Sequence, residues 1–140
     1  MIVLDTSVLS AAFRRRRQSG AEARAVEALR RLLSADAPLA VPGIVLQELL
    51  AGVRSEEQFV RLRTLLEPFP LVLAERHHQV RAARIANTCR RSGISTSTID
   101  CLIAAIATEH DAPLFTLDRD FARIAPHCGL KLWKPRDGRA

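Results

Sequence analysis

Short apolar runs alternate with longer segments of helical periodicity, and this alternation constrains the fold more than any other feature of the sequence. The run Ile2–Leu4 is continuous in apolar residues, as in strands that are covered on both faces. Longer segments such as EEQFVRLRTLLEPF repeat apolar residues every three or four positions, which is typical of amphipathic helices. Strands that alternate with helices favour parallel βα units. The sequence therefore predicts an α/β fold with a central parallel sheet.

The elements are predicted in a regular order along the chain. The predicted strands are Ile2–Leu4, PLAVPG as far as Pro42, residues 71–74, PLFTL and LKLW. The predicted helices are TSVLSAAF, GAEARAVEALRRLLSA, IVLQELLAGV, EEQFVRLRTLLEPF, ERHHQVRAARIANTCRRSG, STIDCLIAAIATEH and DFARIA. No repeat, low-complexity tract or linker interrupts this order, so residues 1–140 are expected to form one domain.

The cysteine spacing and the lengths of the apolar stretches indicate the compartment in which the protein is expected. The three cysteines, Cys89, Cys101 and Cys128, are widely spaced and contain no CxxC pair, which argues against a disulfide framework and a zinc knuckle. No apolar stretch reaches the ~20 residues of a membrane helix, and no basic segment of a secretory signal is recognisable. We therefore expect a reduced, cytoplasmic protein that does not span a membrane.

The chain is basic, which points to an acidic partner. It has 21 Lys and Arg residues against 15 Asp and Glu residues, and all but two of the basic residues are Arg, whose planar fork matches phosphate. Such a surface attracts nucleic acid whatever its sequence. A run of four arginines has two equally good interpretations, an RNA-binding segment or a solvated loop. That run comprises Arg14, Arg15, Arg16 and Arg17.

Four acidic residues lie at predicted strand ends or on the apolar sides of predicted helices. Asp5 and Asp118 each follow a predicted strand, and the carboxyl ends of parallel strands meet at one sheet edge, where ligands bind. Glu48 falls at the rim of the apolar stripe of its helix. Asp100 lies in the first turn of a helix that is apolar nearly all round, where an unpartnered carboxylate is costly. The four acids are therefore candidates for one crevice.

Each acid also has an ordinary explanation. Asp5 could form an Asx turn, Glu48 could be solvated, and Asp100 could belong to a capping box with Ser97. Asp118 could belong to a charged turn. These explanations are independent, whereas one metal-filled crevice accounts for all four acids. Oxygen ligands suit Mg²⁺ or Mn²⁺, and such an ion activates water and neutralises phosphodiester oxygens.

Other chemistries lack their motifs. The sequence has neither GxGxxG nor GxxxxGK[ST], so a phosphate-cradling loop is not indicated. His77 and His78 are adjacent and do not have the spacing of HExxH, so both are expected on the surface. Cys101 is expected to be a packing residue within its apolar helix.

Four motifs together resemble a known family. VLDTSVL, LQELLAG, STIDCLIAAIA and LFTLDRDF occur in the order and spacing of the PIN-domain ribonucleases, and most resemble the VapC-type toxins of prokaryotic toxin–antitoxin pairs. The resemblance covers essentially the whole chain. It implies metal-binding and catalytic roles for four acids and supporting roles for three further residues. The four acids are Asp5, Glu48, Asp100 and Asp118, and the supporting residues are Ser7, Thr116 and Asp120, of which Asp120 could share or replace the role of Asp118.

The resemblance also implies an architecture, an activity and partners. It implies a three-layer α/β/α PIN-like fold, Mg²⁺- or Mn²⁺-dependent cleavage of RNA, a homodimer and a small cognate antitoxin. Two alternatives stay open, a PIN nuclease that processes or degrades RNA without an antitoxin, and a non-catalytic RNA-binding module. The complete set of four acids argues against the second, because degenerate PIN domains usually lose some. Separately, the apolar face of EEQFVRLRTLLEPF exceeds what one core needs, which favours a dimer.

Overall fold

The fold is built on a parallel sheet of four strands in the order β3-β2-β1-β4. The computed structural model describes residues 1–14 and 17–136. Each neighbouring pair of strands is parallel, so the carboxyl ends of all four strands lie at one edge of the sheet. This arrangement confirms the predicted α/β fold. The strands are β1 (Ile2–Leu4), β2 (Leu39–Pro42), β3 (Leu71–Val72) and β4 (Leu114–Phe115).

Helices flank the sheet and begin and end close to their predicted positions. Within the described residues there are seven α-helices, and the last continues into a 3₁₀ turn, Ala125–His127. The helix α1 packs on α2 and α3, while α5 packs on α6. The helices are α1 (Thr6–Phe13), α2 (Gly20–Ser34), α3 (Gly43–Ala51), α4 (Glu56–Leu66), α5 (Arg76–Arg91), α6 (Thr98–Glu109) and α7 (Asp120–Ile124).

The core confirms why the strands are continuous in apolar residues. Val3 and Leu4 of the central strand are fully buried, and every residue of β2 is buried. Helix α6 is buried along residues 103–107 and packs on α5, which fixes the position of its N-terminal turn. Cys101 is also buried, as predicted for a packing residue. The buried apolar surface thus holds both the strand ends and the start of α6 in fixed places.

The predicted strand LKLW is wrong as a strand. Only Leu132 pairs with the sheet, in a single parallel bridge to Leu114. The reason is that β4 itself ends at Phe115, because the next backbone N–H groups bond to side chains. Leu117 N donates to the hydroxyl of Ser7 at 2.9 Å rather than to a neighbouring strand. The sheet therefore has no fifth strand within the described residues.

The predicted surface position of His78 is also wrong. Its side chain is buried, whereas that of His77 is exposed. Nδ1 of His78 accepts a hydrogen bond from the backbone N–H of Glu75 at 2.9 Å, which draws the ring into the first turn of α5. Burial lowers the pKa of His78, since the neutral ring is favoured away from water.

Helix α4 leaves part of its apolar face uncovered. Leu62 and Leu66 are buried in the core, but Val60 and Leu65 each expose 40% of their surface. Of the predicted face, formed by Phe59, Leu62, Leu65 and Leu66, only Leu65 is exposed. Val60 lies on a different side of the helix, because five residues turn an α-helix about 140° beyond one full turn. Among the described residues, no helix is both long enough and apolar enough to cross a bilayer.

Candidate active site

Asp5 occupies the carboxyl end of the central strand and is almost completely buried. Its backbone N–H donates to the carbonyl of Phe115 at 3.0 Å, so the ends of β1 and β4 meet here. Its Oδ2 accepts hydrogen bonds from the hydroxyl of Ser7 at 2.8 Å and from that of Thr116 at 2.7 Å. The same oxygen accepts from the backbone N–H of Ser7 at 3.5 Å, which makes Asp5 the N-cap of α1.

The two hydroxyls that hold Asp5 also hold the loop that carries the next acid. Each hydroxyl donates its single proton to Asp5 and accepts from the backbone with a lone pair. The Ser7 hydroxyl accepts from Leu117 N at 2.9 Å, and the Thr116 hydroxyl accepts from Asp118 N at 2.9 Å. The structure therefore places Ser7 and Thr116 between Asp5 and the loop after β4.

Asp118 lies in that loop and Asp120 begins α7, and both are exposed. Oδ1 of Asp118 accepts from the backbone N–H of Asp120 at 2.9 Å. Oδ1 of Asp120 accepts from Arg123 at 2.6 Å, in an ion pair with the next turn of α7. Each carboxylate thus has one oxygen engaged at the start of α7. Arg123 was not singled out from the sequence, although its i, i+3 spacing from Asp120 on a helix was a usable signal.

Asp100 joins this group from the N-terminal turn of α6. Carboxylate oxygens of Asp100, Asp118 and Asp120 lie within 4.8 Å of one another. The half-buried Asp100 carboxyl has its pKa raised to about 6, first by burial and then by the negative charges of Asp118, Asp5 and Asp120. A hydrogen bond with Ser97 opposes this rise. The elevated pKa thus reflects burial first and the neighbouring negative charges second, and a cation would favour the ionised form against both.

Glu48 is fastened beside Asp5 by a residue that sequence reasoning missed. The hydroxyl of Thr6, the residue that follows Asp5, donates to Oε1 of Glu48 at 2.9 Å. Glu48 lies on α3, which follows β2, and its side chain is half-buried, as predicted for the rim of the apolar stripe. A threonine that follows a strand-end aspartate gives no sequence signal for a contact 42 residues away.

The capping interpretation of Asp100 also has a structural basis. The Ser97 hydroxyl accepts a hydrogen bond from the Asp100 backbone N–H at 3.0 Å and caps α6. Ser97 thus bonds to the main chain of Asp100, while the Asp100 carboxylate lies within 4.8 Å of those of Asp118 and Asp120. A capping contact and membership of the acidic cluster therefore coexist at this residue.

The four predicted arginines do not share one environment. The Arg14 guanidinium donates to the carbonyl oxygen of Leu49 at 2.9 Å, at the C-terminal end of α3. Arg17 is exposed. Arg15 and Arg16 lie outside the described residues. Arg14 thus makes a contact within the protein, and a role of the run in RNA binding stays a prediction.

The acidic cluster fits a hard divalent cation. Its donors are carboxylate oxygens with hydroxyls behind them, which is the ligand chemistry of Mg²⁺ and Mn²⁺. The convergence of three carboxylate oxygens within 4.8 Å is the observation that supports this fit, because a bound cation favours carboxylates in the ionised form. The coarse prediction of an acidic metal site is therefore supported.

A second group of possible ligands lies at the opposite end of α6 and fits a metal less well. It comprises Glu75, His77 and His78. His78 Nδ1 is committed to the Glu75 N–H, so in the neutral ring Nε2 carries the proton and has no lone pair to offer. His77 contacts carboxylates of both Glu75 and Glu109, which raise its pKa and favour the imidazolium form. The group is better described as an ion-pair network that joins α5 to α6.

Comparison with known proteins gives a consistent result. The family model of the PIN domain matches residues 2–126. Ribonuclease VapC11 of Mycobacterium tuberculosis and VapC ribonuclease Mb1587 of Mycobacterium bovis are each 37% identical to this chain over 128 residues. In both cases the match covers 89% of this chain and 92% of the relative.

Solved structures share the fold. The FitAcB structure from Neisseria gonorrhoeae matches 96% of this chain and 98% of its own, with a TM-score of 0.76 and 23% identity. The structure of VapBC2 from Rickettsia felis bound to a promoter DNA fragment matches 95% of this chain and 98% of its own, with a TM-score of 0.76 and 23% identity. These similarities confirm the PIN-like α/β/α fold.

The charge cluster predicts an unusual response to Asp100→Asn. Because the Asp100 pKa is about 6 in the folded protein and 3.8 ordinarily, protonation stabilises the folded state, and this contribution is lost as pH rises through about 6. In EDTA the variant should therefore be at least as stable as wild type at neutral pH. Its advantage in thermal melts should grow between about pH 4 and pH 7.

Manganese should reverse this order. Excess Mn²⁺ should stabilise wild type by mass action and stabilise Asp100→Asn less. Asp36→Asn is the matched control, since Asp36 is an exposed acid far from the cluster in sequence and its left-handed backbone suits Asn. A variant that is less stable than wild type at every pH, with equal gain from Mn²⁺, would mean that Asp100 is only a structural residue.

Removal of the Thr6 hydroxyl should weaken the site without unfolding the protein. Thr6→Val takes away the hydrogen bond that orients Glu48, and loss of such a supporting group typically lowers metal affinity by about 10- to 100-fold. A Mn²⁺ titration by calorimetry measures this change. Thr64→Val is the control, because Thr64 donates only to a carbonyl within its own helix. Unchanged affinity in Thr6→Val would show that Glu48 does not depend on Thr6.

Proposed function

The chain belongs to the PIN-domain family, and from this premise we propose that it is a metal-dependent ribonuclease that acts as the toxin of a toxin–antitoxin pair. The observation that carries the proposal is the convergence of Asp100, Asp118 and Asp120 beside the buried Asp5. The relatives that are 37% identical to this chain are named as ribonucleases, and that activity agrees with this site. The whole sequence forms a single PIN domain in this proposal.

Each acid has a distinct part in the proposed reaction. Asp5 and Asp100 would hold the ion directly, since Asp5 is fixed by hydroxyl donors and Asp100 lies within the acidic cluster. Asp118 completes the site, because the charge of Asp120 is already offset by Arg123. Glu48 bonds to Thr6 through Oε1 and uses its remaining lone pairs to orient water. Asp120 supports the loop.

The ion, Mg²⁺ or Mn²⁺, would activate water and neutralise charge on the scissile phosphodiester when bound. The overall reaction is hydrolysis: a water oxygen forms one bond to phosphorus, a P–O bond to the neighbouring nucleotide breaks, and the leaving oxygen takes a proton. The products are an RNA end with a phosphate and an RNA end with a hydroxyl. No serine or histidine nucleophile is needed, which agrees with the composition of the site.

The partners in this proposal are RNA, an antitoxin and a second copy of the chain. The net charge of +6 favours a polyanionic substrate. A toxin–antitoxin complex from Klebsiella pneumoniae and the VapBC-1 structure from Haemophilus influenzae share this fold at 22% identity each, which supports a small protein inhibitor. The cytoplasm is the proposed compartment, because both RNA and such an inhibitor act there.

Cleavage of RNA tests the activity directly. The purified protein should cut a mixed-sequence RNA with Mn²⁺ or Mg²⁺ and leave it intact in EDTA. Asp5→Asn and Asp100→Asn should each lose about a hundredfold or more, which exceeds the usual effect of a supporting group. Asp36→Asn should cut like wild type.

The same assay separates the alternatives. Metal-independent RNA binding with no cleavage under any of these ions would identify a non-catalytic binding module. Cleavage without arrest of growth on expression in cells would favour RNA processing or decay over a toxin. Growth arrest by wild type but not by Asp100→Asn would support the toxin role.

The exposed Leu65 of α4 predicts a homodimer. Leu65 belongs to the predicted apolar face of α4 and remains partly exposed in a single copy, and a symmetric contact is the commonest way to bury such a residue. Light scattering should give the mass of a dimer at tens of micromolar, roughly where a micromolar interface forms. Leu65→Lys should shift the protein towards monomer, whereas Leu33→Lys, at an exposed leucine of α2, should not. A wild-type monomer at this concentration would contradict the prediction.

A further inference from the structure

A large open pocket lies between α5 and the start of α6, outside the acidic site. Its volume is about 700 Å³, within the range of ligand sites in proteins. One wall is a face of α5, another is the turn after that helix, and the third is the first two turns of α6. We call it the α5–α6 pocket. The lining residues that matter here are Ala83, Ala86, Asn87, Arg90, Ile94 and Thr98.

Small side chains on α5 create the space in this pocket. Ala83 and Ala86 stand where longer residues would fill the gap between the helices. The opposite wall is held rigidly by the end of α5. Gly93 adopts φ +77°, and Ile94 N donates to the Cys89 carbonyl at 2.9 Å, which is the Schellman arrangement of a helix end. Ile94 therefore forms a fixed apolar wall.

The rim of the pocket is polar and positively charged. Asn87 and Thr98 are exposed there, and an amide group can both donate and accept hydrogen bonds. Arg90 contacts the Asn87 side chain, and within the described residues it forms no ion pair with a carboxylate. An apolar interior with an amide and an unneutralised guanidinium at its mouth suits a flat aromatic ring attached to a phosphate.

The pocket adjoins the acidic site through the same helix turn. Thr98 and Cys101 line the pocket, and Asp100 stands between them in the first turn of α6. Their side chains leave different sides of a helix backbone that is about 5 Å across. A strand that crosses the start of α6 would therefore reach the acids with one nucleotide and the pocket with a neighbouring one.

We propose that the α5–α6 pocket binds an unpaired nucleobase of the RNA strand, beside the phosphodiester that is cut. The proposal rests on the proposed ribonuclease function and adds a sequence-reading subsite to it. Proteins read RNA sequence mainly at unpaired bases, through apolar contact with their faces and hydrogen bonds to their edges. Ala86 and Ile94 offer apolar contact with the face of a base, and Asn87 and Thr98 offer hydrogen bonds to its edge. Arg90 pairs with a phosphate.

Ala83→Trp tests this subsite, because it fills the pocket from an exposed helix position. The substrate is a short RNA with one mapped cut, together with a set of copies that each lack one base near that cut. Wild type should lose about tenfold in kcat/KM when the pocket base is missing, a typical value for one base contact. On the intact RNA, Ala83→Trp should have the reduced kcat/KM that wild type shows on the copy without the pocket base. On that copy, Ala83→Trp should lose nothing further.

Two further variants make the test specific. Ala23→Trp introduces the same bulk at an exposed alanine of α2 and should behave like wild type on every RNA. Asn87→Ala removes the amide without added bulk, so a smaller loss restricted to the same base position is expected even if Ala83→Trp folds poorly. Thermal melts of all three variants report folding.

The outcomes distinguish this subsite from the proposed function. If wild type cuts no RNA with Mn²⁺, the ribonuclease proposal fails, and the subsite that rests on it fails with it. If wild type cuts but Ala83→Trp and Asn87→Ala keep the wild-type rate on every RNA, only the subsite is overturned. The third outcome is that these variants lose the dimer in light scattering, or lose binding to an antitoxin, while their dependence on each RNA base is unchanged. That result would assign the pocket to a protein partner and would also overturn the subsite.

Discussion

The hydrogen bonds that Ser7 and Thr116 donate to one oxygen of Asp5 are the interaction on which the rest of the site depends. A carboxylate buried at the end of a central strand is costly unless donors compensate for lost water, and these two hydroxyls are such donors. The Thr116 hydroxyl also accepts from Asp118 N. One threonine therefore fixes the buried acid and the loop of the exposed acid together, which links the ends of β1 and β4 through side chains.

The acidic cluster persists because the core, rather than the acids, determines where they lie. Residues 103–107 of α6 are buried and the helix packs on α5, so the first turn cannot move away from the other acids. The pKa of Asp100 is raised first by burial and then by the charges of Asp118, Asp5 and Asp120. Such local conflict within an otherwise consistent fold is typical of functional sites, because the surrounding packing outweighs the strain.

The sequence predicted what depends on local pattern and missed what depends on contacts across the chain. Continuous apolar runs identified β1 and β2, and helix periodicity identified α1 to its end residues. LKLW failed because β4 ends where Ser7 captures the Leu117 N–H, an interaction across 110 positions. Thr6 was missed for the same reason. The sequence could predict that the acids lie together because the carboxyl ends of parallel strands share one edge of a sheet. This rule follows from topology and requires no knowledge of distances.

The charges of the chain act in opposite senses at long and short range. The net charge of +6 attracts a polyanion to the surface, but Asp5, Asp100 and Asp118 repel a phosphodiester that approaches the crevice. In the proposed function a divalent cation reverses the sign of the potential at the crevice alone. Arg90, which bonds to Asn87 and to no carboxylate among the described residues, would in the proposed base subsite hold the phosphate of a neighbouring nucleotide. In the proposed function, the start of α6 would therefore separate a surface that attracts RNA from a crevice that admits RNA only with a bound ion.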